Sequence, residues 1–281
     1  MYEVIFLWAL ALVYLIFAVV QDLKTREIAN WISFSLIVFA LGFRFFYSLF
    51  EKGEFSFFYQ GLIGLGIFFV LGNLFYYGKI FAGGDAKLMI ALGTILPLYP
   101  NVILNIQAFF NFLLIFLFTG FIYILIASTI LGIKNFSAFK KEFSKQIKKN
   151  KKFIFIILSL NAIFFILGLF NILFLFFGLI FSFTYFLYLY SKTIDEVCMV
   201  RQILAKHLRE GDWLYSDLKI GKNIIKASWD GLNEKDIKEI RKKFKSVKIR
   251  QGIPFSPNFL ISFIIFILLN IFNLILWNPF W

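Results

Sequence analysis

Cysteine and histidine are nearly absent from this chain of 281 residues, Cys198 and His207 being the single examples of each. One thiol excludes an intramolecular disulfide and a thiolate zinc cluster. One imidazole, placed in the most polar part of the sequence, excludes two-histidine metal sites and argues against a histidine-based triad among apolar helices. Charged residues make up only 16% of the chain, and negative charge is the scarcer sign. Outside residues 191–257 the acidic side chains are Glu3, Asp22, Glu27, Glu51, Glu54, Asp85 and Glu142. Any catalysis in the apolar part must therefore draw on carboxylates.

What is abundant is apolar surface: 60% of residues are hydrophobic and the mean hydropathy is +0.82, more than a soluble core of this size requires. A spanning helix needs about 20 apolar residues. Polar breaks divide the chain into apolar runs at 4–20, 28–50, 61–77, 86–98, 102–133, 153–190 and 258–277. The first run lacks a basic leading region and a small-residue cleavage site and reads as a retained helix. The run 86–98 reads as a short or thinned crossing. The run 153–190 is too long for one helix and reads as a hairpin turning near 168–171. The expected fold is thus an all-α polytopic membrane protein of about eight transmembrane helices, with a small cytoplasmic α+β domain before the last helix.

Four regions follow: a transmembrane core at 1–133, a basic loop plus hairpin at 134–190, a small soluble domain at 191–257, and a final helix with an aromatic tail at 258–281. Within the soluble domain the spacing of Val197, Val200, Leu204 and Leu208 predicts a helix over 195–209 that stops at Gly211. Asn233 reads as the N-cap of a second helix carrying Ile237, Ile240 and Phe244, with β-prone stretches at 213–225 and 247–249.

Of the 29 lysines and arginines, 27 fall on one side of an eight-crossing arrangement, and only Arg44 and Lys52 fall elsewhere. The positive-inside rule makes that side the cytoplasm. The net charge of +13 is then a record of topology, and nucleic-acid binding loses its main support. Arg44, inside the second apolar run, is expected to snorkel outward.

Asp22 and Asp85 stand apart from the other acids. Each adjoins an apolar run, Asp22 at the end of the first and Asp85 at the start of the fourth, and both ends face the same side. Two carboxylates meeting at a poorly solvated membrane face hold one proton between them and serve as acid and base on a single water. The plainer alternative is that each caps a helix or meets an interfacial lysine such as Lys24 or Lys87.

The surrounding residues carry a resemblance. The first carboxylate opens DLKTREIAN at 22–30, the second lies in FAGGDAKL at 81–88, and GIPFSPNFL at 252–260 leads into the last apolar run. In these motifs, and over 4–133, the chain resembles the archaeal preflagellin and type IV prepilin leader peptidases of the GxGD class of membrane aspartic proteases. The resemblance implies an aspartic endopeptidase with Asp22 and Asp85 as catalytic residues and with Gly83, Gly84, Lys87, Arg26 and Asn30 near the substrate. It implies membrane-inserted pilin or archaellin precursors with class III signal peptides as partners, in the cell membrane of an archaeon, with the active site facing the cytoplasm. No metal or cofactor is called for. Gly83 and Gly84 read equally well as a helix-breaking turn, Lys87 as a headgroup anchor, and Arg26 and Asn30 as residues that position the first loop.

The chain departs from the pattern at Ala82, where GxGD has its first glycine, and at Ala29, where proline is usual. Residues 134–190 read as an insertion. With Cys198 alone, the zinc motif of the bifunctional methylating members is missing. Two other classes fit the hydrophobicity: a small transporter, which would carry carboxylates near the midplane, and a non-catalytic assembly protein, which would leave the two aspartates without a purpose.

Overall fold

The structure, a computed structural model, describes residues 2–52, 55–99, 101–220, 223–272 and 274. Gly53 and Glu54 of the expected outer break and the aromatic tail at 278–281 lie outside the described residues. Two compact units emerge, one formed by Met1–Ile124 with Pro254–Trp281 and the other by Leu125–Ile253.

The first unit contains α1 (Tyr2–Thr25), α2 (Asn30–Tyr47), α3 (Ser56–Tyr77), α4 (Gly83–Leu92), the first two-thirds of α5 (Val102–Lys134) and α10 (Ser256–Ile271). Each outer helix is apolar all round but buries one stripe. On α1 the stripe is Leu7, Ala11, Leu15, Ala18 and Asp22, and on α2 it is Ile32, Ser33, Leu36, Ala40 and Arg44. These intervals of three and four residues bring one face of a helix to the protein and leave the other to lipid. The same periodicity carries Asp22 and Arg44 inward at the ends of their stripes.

At the centre lies α4, with Ala86, Leu88, Met89, Ala91 and Leu92 buried. Ten residues of helix rise about 15 Å, half the thickness of a hydrocarbon core. The expected crossing at 86–98 is therefore corrected: the helix begins at Gly83 and ends at Leu92, and residues 93–99 continue without helical structure. The backbone carbonyls so released have partners. Arg44 is fully buried and donates from Nε to Thr94 O (2.8 Å), from Nη1 to Phe57 O (3.0 Å), and from Nη2 to Ile95 O (3.2 Å) and Pro97 O (2.6 Å). Its guanidinium also stacks 4.3 Å from the Phe57 ring centroid. Asn105 closes the following turn, its Oδ1 accepting from the N–H groups of Leu98 and Tyr99 at 2.9 Å each. Irregular backbone at membrane depth survives only where protein groups satisfy it. Arg44 thus does not snorkel outward, because an unwound chain end inside the bundle offers it more acceptors than the headgroups would.

Close approach of α3 to this segment depends on missing side chains. Gly61, Gly64 and Gly72 lie on the buried face of α3. A Cβ at Gly61 would run into Arg44, and one at Gly64 into the carbonyl of Gly93. Small residues serve the same purpose wherever membrane helices pack backbone to backbone.

The second unit holds the end of α5, then α6 (Phe136–Lys149), α7 (Lys151–Gly168) and α8 (Leu173–Cys198). The hairpin turns where expected, between Gly168 and Leu173. The basic stretch expected as a loop is instead the amphipathic helix α6, because Phe139, Glu142, Phe143, Gln146 and Ile147 recur at helical intervals and face inward. A small α+β part follows: β1 (Val200–Leu204), β2 (Trp213–Leu214), β3 (Leu218–Ile220), β4 (Asn223–Ile225), α9 (Glu234–Lys243) and β5 (Ser246–Arg250). The sheet order is β1-β5-β2, with β3 and β4 forming a separate antiparallel pair. The helix expected over 195–209 is overturned: α8 runs only to Cys198, and Val200–Leu204 pairs with β5 from Val200↔Arg250 to Leu204↔Ser246. Gly211 (φ 86°) turns the chain into β2 rather than ending a helix. Asn233 does cap α9, in a reciprocal box with Asp236.

Arg250 ties the sheet to the end of α8 through Asp195 Oδ2 (2.7 Å) and Glu196 Oε1 (3.2 Å), while the Tyr215 hydroxyl donates to Glu196 Oε2 (2.7 Å). Among the described residues six helices are long and apolar enough to cross a membrane: α1, α2 with the turn after it, α3, α5, α7 and α8. The eight expected are reached only by adding α4 and the 16-residue α10, which fall short of that length. The chain is a multi-pass membrane protein.

Candidate active site

Asp22 sits in the last turn of α1, on the stripe that faces the protein, and is 7% exposed. The helix stops just beyond it. Arg26 adopts φ 62° and returns its N–H to the carbonyl of Asp22 at 2.8 Å, the left-handed end common at helix C-termini. Arg26 therefore shapes the loop backbone. The Gln21 Oε1 accepts from the N–H of Ala29 at 2.9 Å, fixing the entry to α2. A proline at position 29 would lack that donor, so the alanine is consistent with its surroundings.

Asp85 lies in the first turn of α4, half-buried, three residues after the helix cap Ala82. Its carboxylate takes a hydrogen bond from the backbone at Ala82, the reach-back expected of an acid at this position. The cap is thus real, but it accounts for only part of the environment. Asp22 acts electrostatically on Asp85 as well, so the turn of α4 and the end of α1 bring the two carboxylates into mutual reach.

Of the other expected site residues, Lys87 and Asn30 meet each other: Lys87 Nζ donates to Asn30 Oδ1 at 2.7 Å. This bridge links the first residue of α2 to the first turns of α4. The two glycines differ. A Cβ on Gly84 would lie 3.1 Å from the Cβ of Ile28, so this position is filled by packing on the first loop, whereas the nearest atom to a Cβ on Gly83 is Tyr76 Cε2 at 3.9 Å. Room beside the Asp85 turn is found at Gly83.

Two participants were not anticipated. The backbone N–H of Ser256, the first residue of α10, donates to Asp22 Oδ2 at 3.2 Å, and Ser256 is fully buried. A helix N-terminus carries orphan N–H donors, and the carboxylate of Asp22 satisfies one of them here. Tyr123 on α5 donates its hydroxyl to Pro254 O at 2.8 Å and lies within electrostatic reach of both Asp22 and Arg26. The Ser-Pro pair within GIPFSPNFL is itself a helix-start signal and points to this helix end. No local pattern marks Tyr123.

Residues 9–133 match the type IV leader peptidase family. A preflagellin peptidase of Methanococcus voltae is 30% identical over 137 residues, covering 46% of this chain and 58% of that protein. Preflagellin peptidases of Methanococcus maripaludis and Methanocaldococcus jannaschii are 37% identical over 83 residues and 32% identical over 85, each alignment covering 30% of this chain and 35% or 36% of the relative. The chain thus spans between about a third and three-fifths of the length of these relatives. No solved structure matches it significantly. The matched stretch holds both aspartates, the Gly83-Gly84 turn, Lys87 and the loop with Arg26 and Asn30, so the similarity to the type IV leader peptidase family lies in residues 9–133 of this chain.

Proposed function

We propose that the chain is a membrane aspartic endopeptidase that removes a short basic leader from preflagellin (archaellin) or type IV prepilin-like precursors at the cytoplasmic face, with Asp22 and Asp85 as its catalytic pair. The observation that carries the reading is the convergence of these two carboxylates, from separate helices, within the segment that matches the leader peptidase family. Two acids in a poorly solvated site share one proton. The ionised member takes a proton from water as it attacks the scissile carbonyl, and the protonated member delivers one to the leaving amine. The N–H of Ser256, 3.2 Å from Asp22 Oδ2, orients that carboxylate within the pair. No metal or cofactor takes part.

Gly83 leaves space for a substrate backbone beside Asp85, while Arg26 and the Lys87–Asn30 bridge hold the loops on either side. The 27-to-2 division of basic residues supports a cytoplasmic position for this end of the bundle. A bond deep in the bilayer would not reach carboxylates at helix ends, whereas one at the junction of a basic leader and an apolar helix would. Purified protein reconstituted with a precursor from the same genome tests this directly. Moving the cleavage sequence several residues into the apolar helix should stop processing, and cutting as efficient as the parent's would replace this reading with that of a deeper intramembrane protease.

A further inference from the structure

The lysines of the second unit take no part in the site described above. They are concentrated in and around α6, which is joined to α5 by Asn135 alone and to α7 by Asn150 alone. Both neighbours are long and apolar enough to cross a membrane. Their exposed apolar side chains run up to the junctions, with Ile133 68% exposed at the end of α5 and Phe153 62% exposed at the start of α7. The hydrocarbon boundary therefore passes close to both ends of α6, and a 14-residue helix about 21 Å long held at both ends must lie along the headgroups.

The faces of α6 divide accordingly. Phe139 and Phe143 stack on one another, and Phe139 packs against Tyr190 of α8. Lys140, Lys141, Lys145, Lys148 and Lys149 are exposed on the remaining surface, as are Lys134, Lys151 and Lys152 at its flanks. Glu142 is the one acid in the stretch, and it pairs with Lys145 at 3.1 Å. Phe136, 62% exposed at the first position of the helix, is an aromatic side chain at the interface. Topology alone asks for positive charge somewhere on this side. It does not ask for the charges on an amphipathic helix anchored at headgroup depth.

We propose that the lysine face of α6 binds the phosphate headgroups of anionic lipids, giving the protein a shell selective for them. A polybasic segment next to a spanning helix concentrates such lipids, about fivefold for each fully engaged lysine. The test uses the full chain in phosphatidylcholine vesicles doped with spin-labelled phosphatidylglycerol or spin-labelled phosphatidylcholine, reading the motionally restricted fraction of each. Phosphatidylglycerol should be enriched about fivefold or more over phosphatidylcholine, and the enrichment should collapse in molar salt, where the screening length is about 3 Å. The variant K140Q/K141Q/K148Q/K149Q, which keeps helix propensity and the Phe139–Phe143 face, should lose most of it. Salt dependence of the native chain decides the matter should that variant not fold. Equal restriction of both lipids, or an anionic preference unchanged in the folded variant, would overturn the proposal. Displacement of the lipid by a short single-stranded oligonucleotide would overturn it too, by reassigning the face to nucleic acid.

Discussion

Helices α1 and α7 are both long and apolar enough to cross a bilayer, yet α1 buries Leu7, Ala11, Leu15, Ala18 and Asp22 in the protein whereas α7 buries no residue. Similar hydropathy thus conceals different tasks. In α1 the apolar residues are a patterned stripe that ends on Asp22, and in α2 a similar stripe ends on Arg44. Polar groups are costly at membrane depth and persist where partners hold them. The first unit supplies those partners in the unwound end of α4, the start of α10 and the turn at Ala82. Helix α7 meets α8 across the hairpin through Asn161 with Ser182 and the stacked rings of Phe164 and Phe181, and it buries none of its own residues.

The sharpest way to break this comparison is at the carboxylates. Asp22→Asn or Asp85→Asn should each lower cleavage by about 10³-fold or more, and the double variant should be little worse, because members of a catalytic unit fail together. Near-normal turnover from either single variant would remove the pair from the mechanism. A qualitative result of similar weight concerns topology. Cysteines at Lys145 and Lys235, in a background lacking Cys198, should label from the same side if α7 and α8, each long and apolar enough to span, cross twice between them. Labelling from opposite sides would mean one crossing and a different second unit.

Next in size is Arg44. Arg44→Met would leave the carbonyls of Phe57, Thr94, Ile95 and Pro97 without their donor, for a loss of about 3–5 kcal/mol on unfolding in mixed micelles. Leu158→Ala, on the 56% exposed face of α7, should change stability by less than about 0.5 kcal/mol. Equal effects would mean that burial in the protein is not what separates the two helices.

The pattern of successes in reading the sequence has the same origin. The place of Asp22 at the end of the first apolar run is legible because one helix determines it, and the turn near 168–171 because length and glycine do. Asn233 advertised its cap locally. Arg44 was misread because nothing near it in sequence shows that the chain unwinds after Leu92, some 50 residues later. Residues 200–204 carry a helix-like spacing that pairing with Ser246–Arg250 overrides. The lysines of α6 read as a loop by charge alone, whereas Phe139, Phe143 and Ile147 between them supply the inward face of a helix. At the site, the carboxylates were visible as unusual acids, whereas the donor from Ser256 is a backbone group on the last helix and leaves no side-chain signature beyond Ser-Pro.

That donor can be tested separately. Ser256→Pro removes the N–H at the first helical position and moves Phe255, now at ψ −11°, towards the extended region that precedes a proline, while Ser256→Ala keeps the N–H. A hydrogen bond to a charged group is worth about 1.5–3 kcal/mol, so the proline variant should cut kcat about 10- to 100-fold with KM little changed, while the alanine variant stays close to the parent. Equal losses in both would assign the effect to packing around the hydroxyl and not to the contact with Asp22.

The smallest effect expected within the first unit is at the bridge between Lys87 and Asn30. The contact is short, 2.7 Å, but it is exposed, and exposed polar pairs are worth at most about 1 kcal/mol. Its interest lies in what it joins: Asn30 opens α2 directly after the loop that follows Asp22, and Lys87 lies two residues beyond Asp85. A bridge that merely anchored Lys87 at the headgroups would make Asn30 irrelevant. If instead it sets the separation of the two loops, Lys87→Met and Asn30→Ala should each slow cleavage by about fivefold at most, and the double variant should be no slower than either single one. Losses that multiply would show two independent roles, with Lys87 held by lipid and Asn30 by the start of its own helix.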